Sequence, residues 1–324
     1  MNYLCFVKSL IDFFRLLRPL NLLIIAGTMY AMRWWVLYPL VNNEQLAMEF
    51  QVSEMDFFLS VLVMILLAAA GNIINDYFDV KVDRINKPDR VIVGKTVKRR
   101  VAMVSHHAIN ILAVLIAGYL GWKYARLYYA IIPAFMAGSL WYYSLVFKKQ
   151  TLIGNFVVAI MVAIVPLWSG LFDLISLADH YGEFIQNSGE YFGALWKWLI
   201  GFSLFAFILT LIREAQKDLE DLEGDAAGQF RTLPLTYGVS ASHLYVGMMS
   251  VLFLIGLAYA TLPIGDIVPN PAIYWAIVII GIVLPILVGW YLTGWGKGKR
   301  DYNRAATLSK IAMAAGILLT YFLH

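Results

Sequence analysis

Long apolar runs decide the solvent of this chain before any other feature does. Stretches near 20–41, 56–76, 101–122, 126–146, 152–176, 193–214, 241–263, 272–294 and 304–323 are separated by turn residues or charges. Each can cross a hydrocarbon layer, which takes about 20 mainly apolar residues. Of the 324 residues, 61% are hydrophobic and 14% charged, whereas soluble domains carry about 25% charged residues. The expected fold is therefore an all-α polytopic membrane protein with about nine transmembrane helices.

The single cysteine, Cys5, excludes an internal disulfide and any cysteine-based metal site within one chain. Lys8 and Arg15 interrupt the first apolar stretch, so residues 1–19 are expected to form a short amphipathic segment rather than a cleaved signal. Most Lys and Arg residues fall at the N-terminus or after the second, fourth, sixth and eighth runs. The alternate loops hold acids such as Asp179, Glu183, Glu190 and Asp266. The positive-inside rule then places the N-terminus and the basic loops in the cytoplasm. Arg33, beside Trp34 and Trp35, is expected to snorkel to the interface without a functional role. Pro166, Pro263 and Pro285 are expected to mark kinks. The modest net charge of +4 gives no reason to expect a nucleic-acid partner.

Two polar interruptions, 77–100 and 215–240, follow apolar runs directly and carry the chemistry. The first begins with Asn75-Asp76-Tyr77-Phe78-Asp79-Val80-Lys81-Val82-Asp83. Steps of three and four bring Asp76, Asp79 and Asp83 to one helix face, with Asn75 in the same arc. The second holds Asp218, Asp221 and Asp225, again spaced three and then four. Carboxylates packed this closely repel one another, and the neighbouring lipid makes that worse. A multivalent cation resolves the conflict, and hard oxygen ligands suit Mg2+ completed by substrate phosphate. The candidate metal ligands are Asn75, Asp76, Asp79, Asp83, Asp218, Asp221 and Asp225, and the six aspartates are the candidate catalytic residues. Arg84, Lys87, Arg90 and Lys95 follow the first motif; Arg213 and Lys217 lie beside the second; Lys148 and Lys149 end the fourth run. Such cations can neutralise the free oxygens of a diphosphate. Lys98, Arg99 and Arg100, at the start of a run, are assigned to lipid headgroups and topology.

These motifs resemble those of the UbiA superfamily of membrane prenyltransferases. Asn75, Asp76, Asp79 and Asp83 match its N-D-x-x-D-x-x-x-D pattern. Lys217, Asp218, Asp221, Gly224 and Asp225 match K-D-x-x-D-x-x-G-D. Leu17-Arg18-Pro19-Leu20-Asn21 resembles the family's entry to the first span, and Tyr142-Tyr143-Ser144 through Lys148-Lys149 to Gly154-Asn155 its fourth loop. The resemblance implies one domain over 1–324, with helices around a central cavity and cytosolic cap segments, about 77–100 and 215–240, over its mouth. It also implies Mg2+-dependent transfer of a polyprenyl group from an isoprenyl diphosphate to a lipophilic acceptor. Arg18, Asn21, Asn72 and Tyr142 join the diphosphate- and substrate-binding set on this ground.

Asp83-Arg84-Ile85-Asn86-Lys87-Pro88-Asp89-Arg90 is most similar to the branch containing geranylgeranylglyceryl-phosphate geranylgeranyltransferases and chlorophyll synthases. That branch continues with proline, whereas this chain reads Val91-Ile92-Val93-Gly94-Lys95. Lipid-phosphate, aromatic and tetrapyrrole acceptors stay open, with the loop cations favouring an anionic one. Tyr77, Tyr142 and Tyr143 are the candidates to face an allylic cation. A membrane terpene cyclase would use the same motifs without an acceptor. A cation-coupled transporter would instead place its acids near the membrane midplane.

Overall fold

The computed structural model describes residues 3–42, 48–182, 189–265, 268–296 and 298–323. Glu183 and Asp266, and the side chains of Cys5 and Glu190, lie outside the described residues. Among the described residues twelve helices longer than three residues follow in order: α1 (Tyr3–Leu16), α2 (Pro19–Val41), α3 (Glu54–Asn86), α4 (Arg99–Lys123), α5 (Tyr128–Leu145), α6 (Ile153–His180), α7 (Gly189–Glu220), α8 (Leu222–Ala227), α9 (Leu233–Tyr237), α10 (Val239–Thr261), α11 (Pro271–Trp295) and α12 (Lys299–Tyr321). Among the described residues no strand forms, only an isolated bridge between Val93 and Val97.

Among the described residues seven helices are long and apolar enough to cross a membrane: α2, α3, α4, α6, α7, α10 and α11. The multi-span helical architecture expected from the apolar runs is therefore present. The fourth and ninth expected spans are helices too, α5 and α12. Tyr and Trp side chains dilute the hydropathy of α5. Lys299, Arg300, Asp301 and Arg304 do so in α12.

The two π-helical stretches have a common cause. Met32–Leu37 in α2 precedes Pro39, and Ile277–Val283 in α11 precedes Pro285. Proline has no N–H to bond the carbonyl four residues back, and its ring crowds that carbonyl. Widening the preceding turn accommodates both defects. Pro166 lies inside α6, whereas Pro263 lies beyond the end of α10.

The chain forms two compact units. One comprises Met1–Ala26, Glu54–Val157 and Glu223–Thr232; the other comprises Gly27–Ser53, Val158–Leu222 and Leu233–His324. In the first, Leu16, Ile73, Val80, Val93, Val97 and Ala102 join α1, α3, α4 and the connection between α3 and α4 in one buried cluster. In the second, Leu209, Ile212, Val246, Phe253, Tyr274, Ile282 and Ala312 unite α7, α10, α11 and α12.

The second unit corrects one expectation. Arg33 does not reach the interface: it is 1% exposed and ion-paired at 3.4 Å with Asp173, which is 0% exposed. Its Nη2 donates to the Val52 carbonyl at 2.8 Å, and its guanidinium lies 4.9 Å from the Phe50 ring. A buried partner stabilises the charge where an outward path would have to cross packed side chains. Arg33→Met leaves the Asp173 carboxylate without its counter-ion, a loss of about 3–5 kcal/mol. Thermal unfolding in detergent is expected to show this, and Arg33→Met/Asp173→Leu to recover most of it. An unshifted single variant would contradict the pairing.

Candidate active site

Helix α3 has 33 residues and spans about 50 Å at 1.5 Å per residue, against about 30 Å of hydrocarbon. Its final turns therefore extend beyond an apolar layer. The first motif begins about 20 residues in and stays helical to Asn86, so the 3-4 spacing holds Asp76, Asp79 and Asp83 on one face as expected. Asp79 is 4% exposed, and Asn75, Asp76 and Asp83 are half-buried.

Two cations meet this face. Arg18 Nη2 donates to Asp76 Oδ1 at 2.6 Å. Lys148 Nζ donates to Asn75 Oδ1 at 3.2 Å and forms an ion pair with Asp79. Burial opposes both charges. For Arg18 it is outweighed by Asp76, with Asp79 and Asp83 behind it, and the guanidinium pKa is raised. For Lys148 it is outweighed by Asp79, with Tyr143 and Asp83, and the ammonium is likewise held above its ordinary value.

The turns that deliver these cations are strained or tightly packed. Arg18 sits between α1 and α2 at φ 57°, a left-handed conformation costing about 1–3 kcal/mol outside glycine. Its carbonyl accepts from Asn21 N at 2.9 Å, and Asn72 Nδ2 donates to the adjacent Leu17 carbonyl at 2.9 Å. Asn21 and Asn72 thus hold the Arg18 turn. Lys148 lies on a 3-10 turn, Phe147–Lys149. A Cβ on Gly154 would lie 3.0 Å from the Lys148 Cα, so only glycine lets α6 approach that turn.

The second motif is not one helix. Helix α7 ends at Glu220, Asp221 stands at the break, and Asp225 is buried on α8. Asp218 is an electrostatic neighbour of Tyr245 in the second unit. Behind the motif, Gln216 Oε1 accepts from Ser309 Oγ at 2.9 Å and Glu220 Oε1 from Asn303 Nδ2 at 2.8 Å. Both bonds anchor α7 to α12. Arg213 is ion-paired with Glu214, a partner the sequence did not single out. Lys217 is half-buried.

Other expected residues are more loosely placed. Arg84, Arg90 and Lys95 are exposed and make no ion pair among the described residues. Lys87 donates its N–H to the Asp83 carbonyl. Lys149 is exposed, 5.9 Å from the Phe230 ring. Tyr142 is 57% exposed and lies 6.2 Å from Phe147. Tyr143, rather than Tyr142, is the electrostatic neighbour of Lys148, and Tyr77 already lies 4.3 Å beneath the Arg99 guanidinium.

Among the described residues no three His, Cys, Asp or Glu side chains close on one metal-binding point. The donor set nevertheless fits a hard cation. The Asn75 and Asp79 oxygens meet at a single positive centre, the Lys148 ammonium, which marks where charge belongs.

An all-helical, multi-span membrane protein with balanced acids and bases at the end of a long apolar helix is the class that fold and site define. The chain belongs to the UbiA prenyltransferase family, whose model matches residues 45–311. It is 32% identical over 262 residues to digeranylgeranylglyceryl phosphate synthase of Methanopyrus kandleri, covering 80% of this chain and 84% of that one. It resembles a solved structure of a digeranylgeranylglyceryl phosphate synthase in membranes, with a TM-score of 0.60 and 22% identity over 97% of this chain and 99% of that one. It also resembles a UbiA homolog from Archaeoglobus fulgidus bound to DMAPP and Mg2+, with a TM-score of 0.56 and 16% identity over 95% and 99%. The enzyme class and fold expected from the two motifs are therefore established.

Proposed function

We propose that this prenyltransferase joins an isoprenyl group, supplied as its diphosphate, to the hydroxyl of a phosphate-bearing isoprenyl glycerol lipid. The observation that carries the proposal is the α3 face on which Asn75, Asp76 and Asp79 are charge-balanced by Arg18 and Lys148. The Methanopyrus relative is named for such a lipid phosphate product, and the Archaeoglobus homolog binds an isoprenyl diphosphate with Mg2+. Here Asn75, Asp76, Asp79, Asp83, Asp218, Asp221 and Asp225 would hold Mg2+. When bound, the metal supplies positive charge to the diphosphate leaving group.

The protein's own groups do the rest. Arg18 and Lys148 exchange their carboxylates for diphosphate oxygens and stabilise the charge that develops as the allylic carbon–oxygen bond breaks. The bonding pair leaves with diphosphate. The acceptor hydroxyl oxygen bonds to the allylic carbon, and its proton passes to the released diphosphate. Tyr143, an electrostatic neighbour of Lys148, is the tyrosine we assign to stabilise the transient cation. Lys87, Lys149, Arg213 and Lys217 add positive charge around the diphosphate, while the uncommitted Arg84, Arg90 and Lys95 suit the acceptor phosphate.

We assign 1–324 to a single prenyltransferase domain, with 77–100 and 215–240 as its cap segments, because the two Asp motifs stand at the ends of two of its long helices. The N-terminus and the active-site mouth are cytoplasmic by the distribution of Lys and Arg.

The test incubates purified protein with labelled geranylgeranyl diphosphate, Mg2+ and either geranylgeranylglyceryl phosphate or an uncharged aromatic acceptor. A labelled phosphate-bearing ether lipid is expected from the first acceptor only. A prenylated aromatic would overturn the acceptor assignment. A hydrocarbon formed from diphosphate alone would make the protein a cyclase.

A further inference from the structure

Asn86 is the last residue of α3, three after Asp83 and seven after Asp79, so it shares their face. It is 6% exposed although its neighbours Ile85 and Pro88 face outward. A buried amide at a helix end must find partners. Asn86 Oδ1 accepts from the Gly224 N–H at 2.9 Å, across 138 residues of sequence. Gly224 lies in the first turn of α8, whose N–H groups have no partner within the helix. Asn86 thus does from another helix what a capping side chain does from its own.

The contact leaves no room for change. A Cβ on Gly224 would lie 2.6 Å from Asn86 Oδ1. One turn along, a Cβ on Gly228 would lie 2.8 Å from Val82 Cγ2. The paired steps, 82 to 86 and 228 to 224, lay the segment antiparallel along the end of α3. Its far side is fixed to the turn after Lys148: Arg231 N donates to the Lys149 carbonyl at 2.9 Å, and Thr151 Oγ1 donates to the Arg231 carbonyl at 2.7 Å. Asp225, buried next to Gly224, is carried in between.

We propose that Asn86 is a positioning residue that sets the register of Asp225 against the carboxylate face of α3. The Gly224-Asp225 pair of the second motif is then one device, the glycine admitting Asn86 and the aspartate placed by it. This rests on the carboxylates being Mg2+ ligands, as proposed above. Asn86 acts in this proposal through Asp225 rather than on metal or substrate itself, so its loss should disturb metal binding more than diphosphate binding.

The experiment uses full-length protein in detergent and the variants Asn86→Ala, Asn86→Asp, Gly224→Ala and Asn86→Ala/Gly224→Ala. Asn86→Ala is expected to raise the Mg2+ concentration for half-maximal activity, and for half-maximal thermal stabilisation, by about 10- to 100-fold. KM for the isoprenyl diphosphate at saturating Mg2+ should change by less than about threefold. Asn86→Asp keeps the acceptor oxygen and should restore most of the Mg2+ response. Gly224→Ala should be the most damaging single change, and removing the Asn86 side chain behind it should recover both melting temperature and Mg2+ response. Wild-type Mg2+ dependence in Asn86→Ala, or a double variant no better than Gly224→Ala, would overturn the proposal. Absence of prenyl transfer by the wild-type protein would instead refute the proposed activity, and the melting measurements with and without Mg2+ would still decide the role of Asn86.

Discussion

Asp79→Ala is expected to lower kcat by about 100- to 1000-fold, the scale on which a charge-stabilising group at a reacting centre acts. Asp79 is the most enclosed acid of the first motif, 4% exposed, and Lys148 is its ion-pair partner. Its removal takes away a proposed metal ligand and the ion-pair partner of the ammonium, which keeps Asn75 at 3.2 Å. The variant should still insert and fold, because the lost pair lies near the end of α3 and the hydrophobic cluster around Ile73 and Val80 is untouched. Mg2+-dependent release of diphosphate, measured beside an unchanged elution profile and helical content, checks the prediction. Asp221→Ala tests the second motif in the same way. Normal turnover in either purified variant would end the metal assignment.

The sequence displayed the helices because apolar length is a local property, and it displayed the first motif because α3 runs unbroken through it. The same spacing in the second motif was misleading. Its three-then-four pattern fits a helix, yet the helix ends at Glu220 and resumes at Leu222, and Gly224 beyond the break bonds Asn86, a contact that periodicity cannot reveal. Arg33 shows the same limit. Flanking tryptophans make it look interfacial, while its partner Asp173 is far away in the chain. Arg18 and Lys148 were found from the resemblance and from charge. Their division of labour, one on Asp76 and the other on Asp79, belongs to tertiary structure. Asn86 did carry a signal, an amide one helical turn beyond Asp83.

Lys148→Met separates two roles that the wild-type side chain combines. Without Mg2+, the substitution leaves Asp79 enclosed and without its cation, and stability should fall by about 3 kcal/mol. Mg2+ can then fill the place the ammonium held, so it should bind the free variant more tightly and raise its melting temperature more than it does for the wild type. Turnover should nevertheless drop by about 100- to 1000-fold, because the leaving diphosphate loses a positive partner. The opposite signs follow from competition. If Asn75 and Asp79 hold Mg2+ as proposed, the ion would have to displace Lys148 from them in the wild-type protein, and diphosphate would give the displaced ammonium a new partner. Metal and diphosphate therefore strengthen each other's binding by a common factor, as linkage requires. In Lys148→Met that factor should shrink toward one. Calorimetric titration of Mg2+ with and without an unreactive diphosphate analogue measures it for both proteins. Weaker Mg2+ binding by the free variant, with the factor intact, would show that Lys148 is not the resting counter-ion of the site.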